Sequence, residues 1–443
     1  MSNDTSIVFH YIYEISLYIG TDTKNAIKPV KIIRVIEDSD YHNNFFPILE
    51  ASIMFKNSDI PKIYNNQTQT FYKIIRRKMK YQINNTKDNN KQLELLSQDT
   101  DIDDLFIPIY EEDDFPKNLR ESDFDKEKIN SKNQSDYTES AYQTTVSVIR
   151  VTLYSQNALI SNKDLFNAVF KDADVSTALA FIIDQSSCKK AIVDVPDDTI
   201  SFDHIILLPY NLRNSIWSLQ YRYGIYKDGL VAFFDYDDLY ILRKYGKSHE
   251  YESGDKPFTK VYITDYPDNT DLIATVVEGK DSISYTLTTS VIRNDSRNML
   301  AELDGAQLLI TNINLANNSL ESPGENFTKF NNNAIIIDKH ETGNKQSGKK
   351  ISIEYDELNN ITNIASYSRE TTPYEHIIFE LNNIDAKSVK PNKIFDVSFK
   401  DTIKNNNYAD YYSPIRVKTI YEPINDVSTE MNTKSLITLL RLK

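Results

Sequence analysis

Between Ile7 and Ile83 the pattern of apolar and polar positions is that of β-strands. Ile7–Ile19 mixes β-branched and aromatic residues, alternates with polar ones from Tyr13 onward, and stops at Gly20. Val30–Glu37 repeats the pattern. Phe46–Phe55 is a third run, with Pro47 near its start, where a strand can do without a ladder donor. Thr70–Ile83 is a fourth and carries basic residues. Short strands parted by Asn, Asp and Lys turns predict a sandwich or a barrel.

The texture then changes. Asn84–Ser140 is dense in Asp, Glu, Asn, Lys and Ser, and Leu105–Tyr110 is its one strong apolar island. This stretch is expected to hold one strand between polar loops, with 116–140 the most flexible part. Thr144–Tyr154 returns to strand and is placed to close a first barrel, which makes 84–140 an insert within it. Helical spacing follows. Asn162–Phe170 reads as a helix, and a second opens at Asp174 as its N-cap. A third over Asn211–Tyr223 sets Leu212, Ile216, Leu219 and Tyr223 on one stripe and ends at Gly224. Two strands, Leu230–Asp235 and Asp238–Leu242, complete this centre.

From Lys256 the chain is strand-rich again. Phe258–Thr264, Leu272–Glu278, Ile283–Thr289, Gln307–Thr311, Ala334–Ile337 and Lys350–Tyr355 read as strands, with a polar loop at Asn314–Asn333. Lys393–Phe399, Ser413–Tyr421 and Lys434–Leu442 follow. The fold class is therefore α+β, mainly β: strand-rich ends at 1–155 and 256–443, the latter with loop insertions at about 300–370, around a mixed centre at 156–255. No repeat of fixed period marks a solenoid or propeller.

Composition narrows the function. One cysteine among 443 residues excludes a disulfide scaffold and any Cys-rich metal site. Ten glycines, against the usual ~7%, argue against glycine-cradled nucleotide sites. The 64 acidic and 50 basic residues leave a net charge of -14, which opposes broad binding to nucleic acid or an anionic membrane. No signal peptide or membrane-spanning run is read, so a soluble chain made in a cytoplasm is expected.

No nucleophile elbow, phosphate loop, dinucleotide fingerprint or zinc-protease motif is present, and the six histidines lie at no metal-ligand spacing. No catalytic residue, cofactor or metal ligand is assigned. Glu111–Asp114 reads as a solvated loop, since it lacks the spaced ligands and central glycine of a calcium loop. Asp235, Asp237 and Asp238 fit a metal site or, more simply, a turn between two strands. Lys73, Arg76, Arg77, Lys78 and Lys80, interleaved with Phe71, Tyr72 and Tyr81, form the basic cluster of the chain. Such a patch suits nucleic acid or a salt-bridged subunit interface, and acidity elsewhere favours the interface.

Three blocks in fixed order resemble the baseplate hub proteins of phage tails. The first runs from Ile15-Ser16-Leu17-Tyr18-Ile19-Gly20 through Lys31–Asp38 to Phe45-Phe46-Pro47-Ile48. The second joins Asp203–Pro209, the helix through Trp217, Tyr221–Gly229 and Phe233-Phe234-Asp235. The third is Pro391–Phe395, Tyr408–Val417 and a final strand ending in basic residues. The resemblance implies two tail-tube-like β-barrel domains joined by a smaller mixed α/β region. It implies a homotrimer whose barrels match a hexameric tail-tube protein above, with a central spike protein below and baseplate wedge proteins around. The genome then passes through the lumen without specific DNA binding. A structural virion protein with no enzymatic activity and no membrane insertion is expected. Candidate interface residues are Arg76, Arg77, Lys78, Trp217, Tyr221, Tyr223 and Tyr226. A wedge or arm protein, a tail-borne wall-degrading enzyme and a sugar-binding module are the alternatives.

Overall fold

The computed structural model describes residues 6–20, 26–85, 91–110, 146–196, 201–226, 229–243, 259–264, 275–278, 283–287, 292–295, 307–312, 329–330, 334–341, 351–355, 375–391, 393–401, 406–425 and 427–441. In chain order the first elements are β1 (Ser6–Ile19), β2 (Lys31–Asp40), β3 (Ile48–Lys56), α1 (Ile60–Asn65), β4 (Thr70–Asn85), β5 (Lys91–Ile109) and β6 (Val146–Ser155). The centre holds α2 (Gln156–Ser161), β7 (Leu165–Ala173), α3 (Val175–Gln185), β8 (Lys190–Val193), β9 (Phe202–Asn211), α4 (Leu212–Arg222), β10 (Leu230–Asp235) and β11 (Asp238–Arg243). Then come β12 (Thr259–Thr264), β13 (Thr275–Glu278), β14 (Ile283–Leu287), β15 (Ile292–Asp295), β16 (Gln307–Asn312), β17 (Lys329–Phe330), β18 (Ala334–Glu341) and β19 (Ile351–Tyr355). The last are β20 (Glu375–Asn382), β21 (Phe395–Asp401), β22 (Asn406–Pro423) and β23 (Glu430–Arg441). The fold is mainly β with a few helices, as the sequence pattern predicts.

Eight strands close on themselves in the order β22-β2-β3-β6-β5-β4-β1-β23, because β22 and β23 also pair with each other. Every pairing in this barrel is antiparallel. Closure departs from the expectation. β6 does not seal the sheet of the first 155 residues; it pairs with β3 and β5, and the C-terminal strands β22 and β23 fill the gap between β2 and β1. Period-two burial drives this. β23 buries Met431, Thr433, Ser435, Ile437 and Leu439, a face that one side of a strand must cover with other strands.

β22 is long enough to serve twice. Asn406–Tyr412 pairs with β21, and Tyr412–Pro423 pairs with β23. From β21 the pairings continue through β12, β14 and β13 back to β1. The strands β22, β21, β12, β14, β13, β1 and β23 thus trace a second closed circuit sharing three strands with the barrel. Its β12 pairings, to β14 and β21, are parallel. A separate sheet, β17-β18-β16-β19, lies in the chain between β15 and β20.

The central region has its own core, in which Leu179 and Ile182 of α3 and Ile216 and Leu219 of α4 pack with Ile205, Leu207, Phe234 and Ile241. The Asp174 carboxylate caps α3 by accepting from the Thr177 N–H at 2.8 Å, as expected. Asn211 caps α4 in the same way at 2.9 Å. Gly224 takes φ 79 just past the end of α4, where a side chain would be strained. One expectation fails here and one before it. Residues 162–170 are not a helix: Ser155 caps the short α2, and Leu165–Ala173 pairs with β9. In that strand the alternate residues Phe166, Ala168 and Phe170 face the core. Likewise 91–109 of the supposed loop-rich insert is one long strand against β4, whereas 111–145 falls outside the described residues.

Candidate functional site

The barrel interior is filled, not open. Tyr11, Tyr13, Ile53, Phe55, Tyr72, Phe106 and Tyr421 point into it and are buried. At their centre is Arg76, whose side chain is wholly buried. Strand parity puts it there: Tyr72, Ile74 and Arg76 share one face of β4. Its Nη1 donates to Glu37 Oε2 at 2.6 Å, to the Tyr421 hydroxyl at 2.8 Å and to the Tyr13 hydroxyl at 3.2 Å. Its Nε donates to Asp101 Oδ2 at 2.8 Å. The guanidinium also lies over the rings of Tyr11 and Tyr421, 5.4 Å from each centroid. Lys387 adds a second cation, 3.0 Å from Asp101 Oδ1. Glu37 in turn accepts from the hydroxyls of Tyr236 and Tyr421.

Two cations thus face two carboxylates, so the cluster is balanced. Burial works against the ionised Asp101, yet Arg76 and Lys387 hold its carboxyl below the usual range. Burial pushes the phenols of Tyr13, Tyr236 and Tyr421 up, so they stay protonated, and Tyr236 and Tyr421 donate to Glu37. Chemically this arrangement neutralises and fixes; it presents no activated nucleophile. It ties β1, β2, β4, β5 and β22 to the β10–β11 turn and to Lys387 in a single network.

A second cluster joins the barrel to the central region. Asp104 of β5 and Asp237 of the β10–β11 turn share a hydrogen bond, and Lys189 pairs with Asp237 and lies 3.9 Å from Asp104. Asn157 donates to Asp237 at 2.7 Å. Burial and the Asp237 charge push Asp104 up to about 6. Burial opposes ionised Asp237 too, but Lys189 and Asn157 hold it low.

The residues singled out in the sequence divide sharply. Arg76 cannot join a subunit interface, because it is buried in its own barrel. Tyr223 and Tyr226 are also core residues: the Tyr223 hydroxyl accepts from the Ile206 N–H at 3.0 Å, and the Tyr226 hydroxyl donates to the Asp194 carbonyl at 2.6 Å. Arg77 pairs with Glu14, Lys78 reaches Asp385 at 2.8 Å, and Lys73 reaches Asp103 at 2.5 Å. Arg77 and Lys73 remain on the barrel exterior, in part neutralised, whereas Lys78 shares the inward parity of Arg76, opposite Tyr11 of β1. Trp217 stacks on Tyr221 at 5.7 Å, and Tyr221 is 45% exposed. The Asp235, Asp237 and Asp238 set sits at a β-turn with Tyr236 at φ 56, each acid beside a lysine: Lys390, Lys189 and Lys190. Among the described residues no group of three or more His, Cys, Asp or Glu side chains is placed to hold a metal. Among them, too, no helix is long and apolar enough to cross a membrane.

Glu37, Asp101, Tyr421 and Lys387 were not anticipated. Parity carried a usable signal for the first, since Val35 and Glu37 share the inner face of β2.

The fold and its filled, charge-balanced interior define a mainly-β barrel protein. The chain belongs to the family of the bacteriophage PBS1 gene 109 protein, whose model matches residues 4–442. The phage connection implied by the resemblance is thereby shown at the level of the family. No curated protein matches the sequence. Among solved structures, the chain is similar to the tail protein from Neisseria meningitidis MC58, with 8% identity, TM-score 0.48, and 97% of this chain and 96% of that one covered. It is also similar to the Francisella PdpA-VgrG complex in its half-lidded form, at 9% identity and TM-score 0.44, covering 98% of this chain and 58% of that one. A third is the E. coli c3393 protein, described as a component of the type VI secretion system with similarity to T4 bacteriophage tail proteins gp27 and gp5. The identity there is 6% and the TM-score 0.39, with 96% and 77% covered.

Proposed function

We propose that this chain is a trimeric baseplate hub, a structural virion protein joining a hexameric tail tube to a central spike and lining the channel for the genome. The observation that carries this reading is the doubled strand circuit, in which β1, β22 and β23 belong both to the closed barrel and to the ring through β21, β12, β14 and β13. Two β-modules per chain let threefold symmetry present six similar units to a hexamer. Membership in a phage family supports the same reading.

Because the eight-strand barrel is packed with side chains, the channel in this proposal runs between copies and not through one. The net charge of -14 fits a wall that repels phosphate. Arg77, Lys78, Trp217 and Tyr221 are the candidate contacts with neighbouring copies or partners. The chemistry is only that of association: no reaction is assigned.

The test is the mass of the protein alone and mixed with its tail-tube and spike neighbours. Three copies per assembly are expected, and six would indicate a wedge component. A chain that stays monomeric in every mixture contradicts the proposal. Loss of turbidity when the pure protein meets cell walls would identify an enzyme instead.

A further inference from the structure

β1 is paired along its length on one edge by β4. On its other edge it meets β13 at Ser6 and Ile7, β23 at Tyr11 and Ile12, and Ile27 at Leu17. Between the last two, Tyr13–Ser16 faces no strand on that edge among the described residues. The direction of the free groups follows from periodicity. Leu17 donates to the Ile27 carbonyl at 3.0 Å and accepts from the Ile27 N–H at 2.8 Å, both on the open side. Alternation along the strand aims the N–H and C=O of Tyr13 and Ile15 the same way.

The local sequence explains the opening. Continuing the Leu17–Ile27 register sets Pro29 opposite Ile15, and proline has no N–H to give. Val30 instead donates to the Met54 carbonyl at 2.8 Å, which draws the chain away toward β3. On the remaining side the β22–β23 hairpin ends short of the gap. Its tip is folded by Asn425, whose side-chain oxygen accepts from the Val427 and Ser428 N–H groups at 3.0 and 2.8 Å. What remains is a groove of ≈ 520 Å³ lined by Ile32, Met54 and Met431, among others. Val30 and Val427 stand on its rim, 50% and 93% exposed. Lys28, exposed, lines it as well, while Glu14 in the same lining is paired with Arg77.

We propose that this opening in the barrel wall binds an extended segment of a partner protein by strand addition to Tyr13–Ser16, the segment alternating apolar and carboxylate side chains. An unpaired edge is a template for one more strand, and its main-chain groups give affinity without regard to sequence. The volume lies within the range of about 300–1,000 Å³ typical of built binding sites. An added strand sends alternate side chains to opposite faces. One set then meets Ile32 and Met431 on the inner face, and the other meets Met54 and the positive charge of Lys28 on the outer face.

The probe is a short capped peptide alternating valine and glutamate, titrated against the full chain by fluorescence anisotropy, with amide hydrogen exchange read at Tyr13 and Ile15. Both amides are expected to exchange fast in the free protein and slowly with peptide bound. A peptide with lysine for glutamate, and one N-methylated along its backbone, should each bind about tenfold more weakly. Lys28→Glu, an exposed change, should weaken the parent peptide about two- to fivefold. Slow exchange of Tyr13 and Ile15 in the free chain, no binding at millimolar peptide, or equal binding of the N-methylated peptide overturns the proposal. So does self-association of the chain that Val30→Asp abolishes, which would make a second copy the occupant.

Discussion

The Arg76 guanidinium serves two carboxylates and two phenols with no water-facing surface of its own. Arg76→Met leaves Glu37 buried without its cation and Asp101 with Lys387 alone. The expected loss is about 3–5 kcal/mol, read as a lower urea midpoint. Replacing Arg76, Glu37 and Asp101 together with apolar residues of like volume should cost less than Arg76→Met, because no orphaned charge remains. Asp104 and Asp101 give opposite pH signs. Folded Asp104 keeps its proton to about pH 6, whereas an unfolded aspartate releases it near about pH 4. Between those values the folded state binds more protons, so stability falls as pH rises through that window and is level above it. Asp104→Asn should remove that slope in denaturant midpoints taken across the range; an unchanged slope contradicts the assignment. Asp101, held low, contributes stability above about pH 4 that is lost as pH falls through its folded value. Sequence reading grouped Arg76 with Lys73, Arg77, Lys78 and Lys80 by charge. Parity with Tyr72 and Ile74 was the better guide, but its partners Asp101 and Tyr421 come from distant strands that no local pattern links to β4.

At the scale of elements, helix ends were legible because their chemistry is local. Asp174 and Gly224 each do one job that a neighbour in sequence defines. Asp174→Ala should cost about 1 kcal/mol through the uncapped Thr177 N–H. Gly224→Ala should cost about 1–2 kcal/mol through its positive φ. Both are measurable as midpoint shifts in chemical denaturation, and a silent Gly224→Ala would mean that the turn relaxes. The stretch 162–170 was misread because short apolar runs satisfy two periods at once. Leu165 and Val169 suit a helix, whereas Phe166, Ala168 and Phe170 suit a strand, and pairing with β9 decided between them. For β5 the misleading signal was polarity. Its Asp99, Asp101, Asp103 and Asp104 look like loop residues, yet Lys73, Arg76 and Lys387 lie on neighbouring segments to receive two of them.

For the whole molecule, strand content and the mixed centre could be read along the chain, but closure could not, since it depends on which ends meet. His10 and Glu430 lie 3.3 Å apart, and the Tyr81 hydroxyl donates to Glu430 at 3.0 Å, across the join of β1 and β23. Removing 406–441 should therefore abolish cooperative unfolding of the N-terminal half as well, seen as a broad, non-sigmoidal thermal transition. Retention of a sharp transition would show that the first 155 residues close without β22 and β23. Tyr221→Ala, on an exposed stack, should leave the melting temperature of the isolated chain nearly unchanged while weakening any oligomer that uses this face. The join also sets a timetable for synthesis. While the chain is being made, β1 emerges early and then waits for a partner that leaves the ribosome only after more than four hundred residues. A nascent chain therefore cannot seal its barrel ahead of time, and a product truncated before β22 carries raw sheet edges of the kind that chaperones and proteases recognise.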